Sequence, residues 1–309
     1  MISIVIVNWN SGNFLENCVQ SLIRDAEGCQ ILIVDNASTD SSLQFITGAQ
    51  VGLAVLRNER NIGFAAANNL GWRTSDGEQI LFLNPDIECL PESINRLAQT
   101  LVADRTVWAA GGCLVSPSGK SQAGFNVRTF PTVGGVAADM LFLDRVCPAH
   151  LKSGAGWAAT GALAVDVDQP AAACLMVNRS ALEAIGGFDE AFRPAWFEDV
   201  DLCRRIRDQG GRIQYQPAAR FLHHGGYSLR RMSRQSFLEV FHANQIRYFR
   251  KHHGTRAAAR VRRLILMGLL LRGALSVIYP LSPGETRTSS VKTFWKSARR
   301  IRELREVES

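Results

Sequence analysis

Several short stretches of this chain put carboxylates or imidazoles where an ordered pattern gives way to a turn. They are Asp35 with Asp40, Asn84-Pro85-Asp86, Asp189, Glu198-Asp199 and His223-His224. Carboxylate oxygens can hold hard divalent cations, bond an imide or a ribose, or take a proton from a hydroxyl. Imidazole can complete a metal shell. Taken singly, each acid reads as a cap or a solvated loop acid. Asp40, followed by Ser41-Ser42, reads as the cap of a short helix. Asp35 and Asp86 differ because each follows an apolar run. One could bond an imide or ribose while the other holds a cation. Asn84 adds only a neutral oxygen, so a metal would need a further ligand, for which His223 or His224 is a candidate.

Glu198-Asp199 opens a helical pattern. Acids are favoured there by the helix dipole, and the same field keeps a carboxylate ionised and able to accept a proton. Trp196-Phe197 directly before it supplies an apolar wall or a platform for a sugar ring, or else core. Arg204, Arg205 and Arg207 read as solvated side chains.

The elements that must position these groups follow from periodicity. Gln79–Leu83 is a near-continuous apolar run, which fits a strand covered on both faces. Pro85 has no N–H and cannot continue a central ladder. Asp86 is therefore expected at the C-terminal edge of a sheet, where open α/β sheets bind ligands. Ile2–Val7, Gln30–Val34 and Gly52–Leu56 read as further strands. Asn13–Arg24, the stretch after Asn61-Ile62-Gly63-Phe64, and Pro91–Val102 read as helices. This alternation through about residue 105 implies a mostly parallel sheet with flanking helices.

Further on, Val107–Val115 and Ala171–Val177 read as strands, and Ser180–Ile185 as a short helix. Ile213–Tyr215 and Arg220–Leu222 read as two short strands, and Ser233–Lys251 as a helix. Ser116–Gln169 reads as an elaborated loop region of the kind used in substrate selection. No glycine-rich dinucleotide or Walker A pattern follows the first strand, which disfavours those sites.

The 309 residues and an apolar share of 46% suffice for one large domain, or one domain with a tail. The seven cysteines are scattered without a C-x-x-C pair, as expected of reduced thiols in a cytosolic chain. MISIVIVNWN reads as a first strand rather than a signal peptide. No run approaches the roughly 18 apolar residues of a spanning helix. The net charge of +7 draws on a basic C-terminal region. There Arg256, Arg260, Arg262 and Arg263 precede Leu264–Tyr279, which reads as an interfacial helix or as one packed on protein. The basic region carries no recognised nucleic-acid motif.

As an ordered set, VIVNWNSG, VDNASTD, NIGFAAANN, FLNPDIE, GGFDEAF, WFEDVDLCRR and HHGGYS resemble the inverting glycosyltransferases of family 2, which have the GT-A fold. Within that family the chain is similar to rhamnosyltransferase-type members that build bacterial cell-surface polysaccharides. The resemblance covers about residues 1–250. It implies a catalytic domain over 1–250, with 1–105 as the nucleotide-binding half and 106–250 as the acceptor-binding half. Residues 251–309 are left as a basic amphipathic helical tail.

The resemblance also implies roles. Asp35 contacts the nucleotide base and Asn8 lies beside the nucleotide. Asn61, Gly63 and Asn68 line the nucleotide-sugar pocket. Asp86 matches the last acid of the metal-binding D-x-D motif, whose first position here is Asn84, and His223 completes the shell around Mg²⁺ or Mn²⁺, with His224 as fallback. Asp199 is the catalytic base, with Glu198 supporting it or touching the acceptor. The implied donor is a nucleoside-diphosphate sugar, with dTDP-L-rhamnose first and a UDP-galactofuranose or UDP-hexose second. The implied acceptor is a glycan, free or carried on polyprenyl diphosphate. The expected location is the cytoplasmic face of the membrane, with peripheral membrane contact, no nucleic acid, and a homo-oligomer left open. Competing readings are a nucleotidyltransferase, disfavoured by the missing basic glycine-rich first loop, and a non-catalytic nucleotide-sugar-binding protein.

Overall fold

The computed structural model describes residues 1–25, 28–47, 52–143, 163–225, 232–278 and 286–303. The chain divides into two compact units. The first comprises the described residues of 1–130, 163–194 and 198–225, and the second those of 131–143, 195–197, 232–278 and 286–303.

The first unit is built on β1 (Ile2–Asn8), β2 (Gln30–Asp35), β3 (Leu53–Arg57) and β4 (Gln79–Leu83). These four pair in parallel in the order β3-β2-β1-β4. Helices α1 (Phe14–Asp25) and α2 (Phe64–Thr74) fall in the β1–β2 and β3–β4 connections. Side chains alternate across the pleat. Ile4 and Ile6 thus join one core cluster with Leu15, Cys18 and Leu22 of α1, while Val5 and Val7 join another with Ala65 and Trp72 of α2. Burial of the sheet on both faces explains the unbroken apolar runs.

The remaining elements are β5 (Ile87–Cys89), α3 (Ser93–Ala103), β6 (Val107–Val115), α4 (Ala123–Asn126), β7 (Val127–Arg128), β8 (Val165–Asp166), β9 (Gln169–Pro170), β10 (Cys174–Asn178), α6 (Arg179–Ile185), α7 (Glu198–Asp208) and β11 (Arg212–His223), with α5 (Val133–Met140) in the second unit. The large sheet runs β3-β2-β1-β4-β10-β6-β11-β5, with β8 on β11. The expected parallel arrangement holds through β4. Beyond it the sheet is mixed, because β10 lies antiparallel to both β4 and β6.

Two local expectations need correcting. No helix follows Asp40 among the described residues. Its carboxylate instead accepts from the backbone N–H of Ser42 (3.1 Å) and of Gly12 (2.9 Å), so it ties two turns together. The two short strands expected near residues 213 and 220 are one strand, β11, with a register shift between Gln216 and Arg220. Pro217 lies inside that shift and has no N–H to give the ladder. The helix expected over Ser233–Lys251 is the first part of α8 (Arg234–Leu275), which breaks at a kink at Gly254 (φ 80°, ψ 170°) and continues as a second helical stretch.

All of α8 belongs to the second unit. Arg272 donates to the carbonyls of Asp139 and Met140 at 2.8 Å each, tying α8 to α5. Ile265 and Leu269 of α8 and Phe294 and Ile301 of α9 (Arg287–Glu303) are buried. Residues 144–162 of the expected loop region, 226–228 of the HHGGYS motif and Tyr279 lie outside the described residues.

Candidate active site

The strand directions gather the candidate residues at one edge of the first unit's sheet. Asn8 and Asp35 are register partners at the C-terminal ends of β1 and β2. Asp86 follows the end of β4, which pairs with β1. Two strand spacings, about 10 Å, separate the lines of β2 and β4. His223 ends β11, which is parallel to β6, and β6 is parallel in sense to β4. Helix α7 packs on β11 and enters it directly through Gly210-Gly211, so it runs back along the sheet. Its N-terminus, Glu198-Asp199, therefore lies toward the same edge.

At the β1–β2 end, Asn8 is fully buried and its amide is used by neighbours. Nδ2 donates to Asp35 Oδ1 (2.8 Å), Ser42 Oγ (2.9 Å) and Ser38 Oγ (3.1 Å), while Oδ1 accepts from Ser11 Oγ. Asp35 also accepts from Ser38 N–H at 3.3 Å through Oδ2. Asn8 thus aims Asp35 and ties the loops around it.

The neighbouring loop is organised by Asn36. Its Nδ2 donates to Asn61 Oδ1 (3.1 Å), and its Oδ1 accepts from Asn58 Nδ2 (3.0 Å) and Ile62 N–H (3.1 Å). Asn61 Oδ1 also accepts from Gly63 N–H at 2.9 Å. Gly63 has φ 91°, a conformation L side chains rarely adopt, and an added Cβ would stand 3.3 Å from the Pro194 carbonyl oxygen. The close backbone approach at Gly63 is thus made by Pro194, whose carbonyl accepts from Phe64 N–H (2.9 Å). Asn68 is buried and donates to the Phe64 carbonyl (3.0 Å). Its neighbour Asn69 pins the Gly187-Phe188 turn, taking Phe188 N–H at 2.9 Å and giving to Phe188 O at 2.8 Å. The Asp189 carboxylate accepts from Ala191 N–H (2.9 Å) within that same connection.

At the β4 end, Asp86 Oδ2 faces His223 Nε2 at 3.6 Å, and both side chains are largely buried. The other ring nitrogen of His223, Nδ1, lies 2.7 Å from Gln122 Oε1, and the ring stacks on Phe125 with centroids 5.3 Å apart. Burial pushes the imidazole below its usual range, against the opposing pull of Asp86. His224 is committed elsewhere, with Nε2 2.7 Å from Glu88 Oε1.

At α7, Glu198 is buried, and its Oε2 has no hydrogen-bond partner among the described residues. Burial first, and then the charge of Asp199, push its carboxyl well above the usual range. Its neighbour Asp199 accepts from the Val200 N–H (2.8 Å). Arg205 is not the solvated side chain expected. It pairs with fully buried Asp201 at 2.7 Å and donates to the carbonyls of Ile185 and Gly187, also at 2.7 Å. It thereby fastens α6 to α7.

Trp196 and Phe197 belong to the second unit. Phe197 is buried against Phe241 and Tyr248, and Trp196 meets Phe237 edge-on at 4.9 Å. Asn244 Nδ2 donates to the carbonyls of Ala195 (2.9 Å) and Trp196 (3.1 Å). Both aromatic residues have φ 72°, a conformation costing roughly 1–3 kcal/mol each.

A divalent cation fits the Asp86–His223 pair in part. Two ligand atoms 3.6 Å apart can flank one ion, and an oxygen–nitrogen set suits Mn²⁺ and Mg²⁺. Among the described residues no three side chains form a complete metal site, so the remaining positions would fall to water or substrate oxygens. A separate groove of about 310 Å³, lined by Arg96, Thr100, Asp104, Gln214 and Gln216 among others, contains none of these residues.

Sequence reasoning passed over Gln122, Phe125 and Asn36. Only Asn36 carried a signal, as an asparagine inside the VDNASTD motif.

Comparison with known proteins bears on the family and on the fold. Residues 3–138 match the family model described as glycosyl transferase family 2. Asp199 and His223 lie beyond the matched stretch. An uncharacterized protein, y4gI, of Sinorhizobium fredii is 29% identical over 232 residues, covering 72% of this chain, which spans only 24% of that relative's length. The N-acetylglucosaminyl-diphospho-decaprenol L-rhamnosyltransferase of Mycobacterium tuberculosis is 27% identical over 303 residues, covering 90% of this chain and 93% of its own. A crystal structure of GalNAc-T7 with UDP, GalNAc and Mn²⁺ shares the fold, with TM-score 0.61 and 16% identity, covering 97% of this chain and 54% of the other.

Proposed function

We propose that this family 2 glycosyltransferase moves L-rhamnose from dTDP-L-rhamnose to a hydroxyl of a glycan carried on a polyprenyl diphosphate, with inversion at the anomeric carbon. The observation that supports the reading is that Asp35 and the Asp86–His223 pair stand at the ends of strands on one sheet edge, with α7, which carries Asp199, directed back toward that edge. The sugar and the acceptor class follow the printed name of the mycobacterial relative, which matches along nearly its whole length, and the dTDP carrier follows the sequence resemblance.

In this reading Asp35, aimed by Asn8, accepts the imide N–H of the base. Asn61, Gly63 and Asn68 shape the wall along the nucleotide sugar, and Asn84 borders the diphosphate. Asp86 and His223 would hold Mg²⁺ or Mn²⁺, which when bound offsets charge developing on the leaving diphosphate. Asp199 takes the proton of the acceptor hydroxyl. That oxygen forms its bond to the anomeric carbon as the carbon–oxygen bond to the diphosphate breaks, and the electron pair leaves with the nucleoside diphosphate. Glu198, buried beside Asp199, has its carboxyl raised by burial and by the Asp199 charge. Trp196 and Phe197, which directly precede α7 in the chain, are assigned to the acceptor.

The reading extends to a membrane-borne acceptor. On α8 and just beyond it, Arg256, Arg260 and Arg263 are exposed and lead into Met267, Leu270, Leu271, Leu275 and Ile278, each 38–57% exposed. Steps of three and four residues put them along one stripe, basic and then apolar. Such a stripe suits a headgroup and acyl boundary. Among the described residues no helix is long and apolar enough to cross a membrane.

A donor screen tests the proposal. The full chain is incubated with dTDP-L-rhamnose, UDP-galactofuranose and UDP-hexoses on a polyprenyl-diphosphate-linked sugar acceptor, with and without EDTA. Transfer from dTDP-L-rhamnose that EDTA abolishes is expected. Transfer only from a UDP-sugar replaces the donor, and no transfer from any of them sinks the enzyme reading.

A further inference from the structure

The pair at Asp86 and His223 raises a question of proton placement that the surrounding hydrogen bonds answer. A neutral imidazole carries its proton on one nitrogen, and only the other can bind a cation. The deciding residue is Gln122, which precedes α4 in the chain and reaches His223 across 101 residues of sequence.

Gln122 makes two bonds to the same histidine. Its Nε2 lies 3.1 Å from the His223 backbone carbonyl, and its Oε1 lies 2.7 Å from His223 Nδ1. A carbonyl oxygen can only accept, so the amide nitrogen must face it. Turning the amide over would set two acceptors against each other. The amide oxygen is therefore left facing Nδ1, and an amide oxygen also only accepts. The proton must sit on Nδ1. Nε2 then presents a lone pair toward Asp86 Oδ2, 3.6 Å away. Phe125, stacked at 13° to the imidazole plane, restrains the ring's tilt while Gln122 fixes its edge.

Two lone-pair bearers directed at each other, without a proton between them, repel unless a cation fills the gap. We infer that Gln122 is a positioning residue that locks His223 as the Nδ1–H tautomer, so that Nε2 is ready for a divalent cation shared with Asp86. The inference rests on the proposed cation role of Asp86 and His223. Such partners of a ligating histidine, when removed, cost about 10–100-fold in metal affinity.

The test reads the tautomer and the metal separately. In full-length protein with ¹⁵N-labelled histidines and no metal, the His223 signals are assigned by loss in His223→Asn. At pH 7.5 the Nε2 resonance is expected at the position of an unprotonated ring nitrogen and Nδ1 at that of a protonated one. Gln122→Met should mix the tautomers, and Gln122→Glu, which keeps an acceptor at Nδ1, should hold the native one. Mn²⁺ binding in the presence of dTDP, followed by electron paramagnetic resonance, should weaken about 10–100-fold in Gln122→Met and be kept within a few-fold in Gln122→Glu.

A wild-type His223 with its proton on Nε2 overturns the tautomer lock, whatever the metal does. Wild type that binds Mn²⁺ while Gln122→Met binds it equally well overturns the positioning role. Wild type with the expected tautomer but no Mn²⁺ binding overturns the cation reading of Asp86 and His223, and the positioning role with it.

Discussion

Asn8 Nδ2 stands 2.8 Å from Asp35 Oδ1, a contact between register partners on adjacent parallel strands at the ligand-binding edge of the sheet. Because Asn8 also serves Ser38, Ser42 and Ser11, a single buried amide sets the direction of the carboxylate proposed to read the base. Asn8→Ala leaves those buried groups short of a partner, at about 1–3 kcal/mol of stability. It should also weaken dTDP binding by about tenfold, or ~1.4 kcal/mol. Calorimetric titration at a temperature where the variant remains folded checks this. Unchanged affinity would remove Asn8 from the recognition of the nucleotide.

The adjacent acids of α7 should behave oppositely. Asp199→Asn should cut turnover by about 10²–10⁴-fold while nucleotide binding survives, as expected for loss of a general base. Glu198→Gln replaces the buried carboxyl with an amide of similar shape and should keep turnover within a few-fold at pH 7. Its folded-state carboxyl is raised by burial and by Asp199. Above the ordinary carboxyl range the unfolded chain therefore releases a proton that the folded chain keeps, and stability falls as pH rises toward the raised value. Glu198→Gln should remove that loss. Urea midpoints of both proteins at pH 5 and pH 8 measure it, and parallel pH profiles would refute a raised Glu198 carboxyl.

His242 gives the helical unit an acid-sensitive point. It is buried, its Nδ1 is 3.0 Å from Gln245 Oε1, and burial pushes its pKa from 6.5 down to about 4. Between those values the unfolded chain takes up a proton that the folded chain refuses. Stability is thus complete above about pH 6.5 and falls as pH drops, at about 1.4 kcal/mol per unit and roughly 3 kcal/mol in total. Thermal melts from pH 7.5 to pH 4.5 should show the fall. His242→Gln should flatten it, and an equally steep profile in that variant would assign the acid sensitivity elsewhere.

The stripe on α8 should set membrane affinity without touching catalysis. Met267→Glu with Leu271→Glu exchanges two side chains that are 53% and 38% exposed for charged ones. Flotation with anionic phospholipid vesicles should fall several-fold, with little change in melting temperature. Retained flotation would move the membrane contact to another surface.

Much of the scaffold was legible in the residues themselves. A run such as Gln79–Leu83 has no polar face, so it must be covered on both sides, and Pro85 must end it. Those two local facts put Asp86 at the sheet's edge before any contact is known. Ordered motifs likewise marked Asp35, Asp199 and His223, because each sits at a fixed offset from a strand or helix end.

Other features depended on distance. Gln122 meets His223 across 101 residues, and Asn69 meets Phe188 across 119. Nothing in the local pattern of either partner marks the other. Arg205 read as solvated because an arginine on a helix usually is, and only the turn of α6 beside it supplied carbonyls to hold. The tail read as a separate segment because charge and hydropathy change at its start, yet burial of Ile265, Leu269 and Phe294 shows it packed. Hydrogen-bond roles, tautomers and shared burial belong to pairs of groups, and pairs form only when the chain has closed on itself. The sequence determined which residues could do chemistry and which sheet edge they occupy, while folding decided what each of them faces.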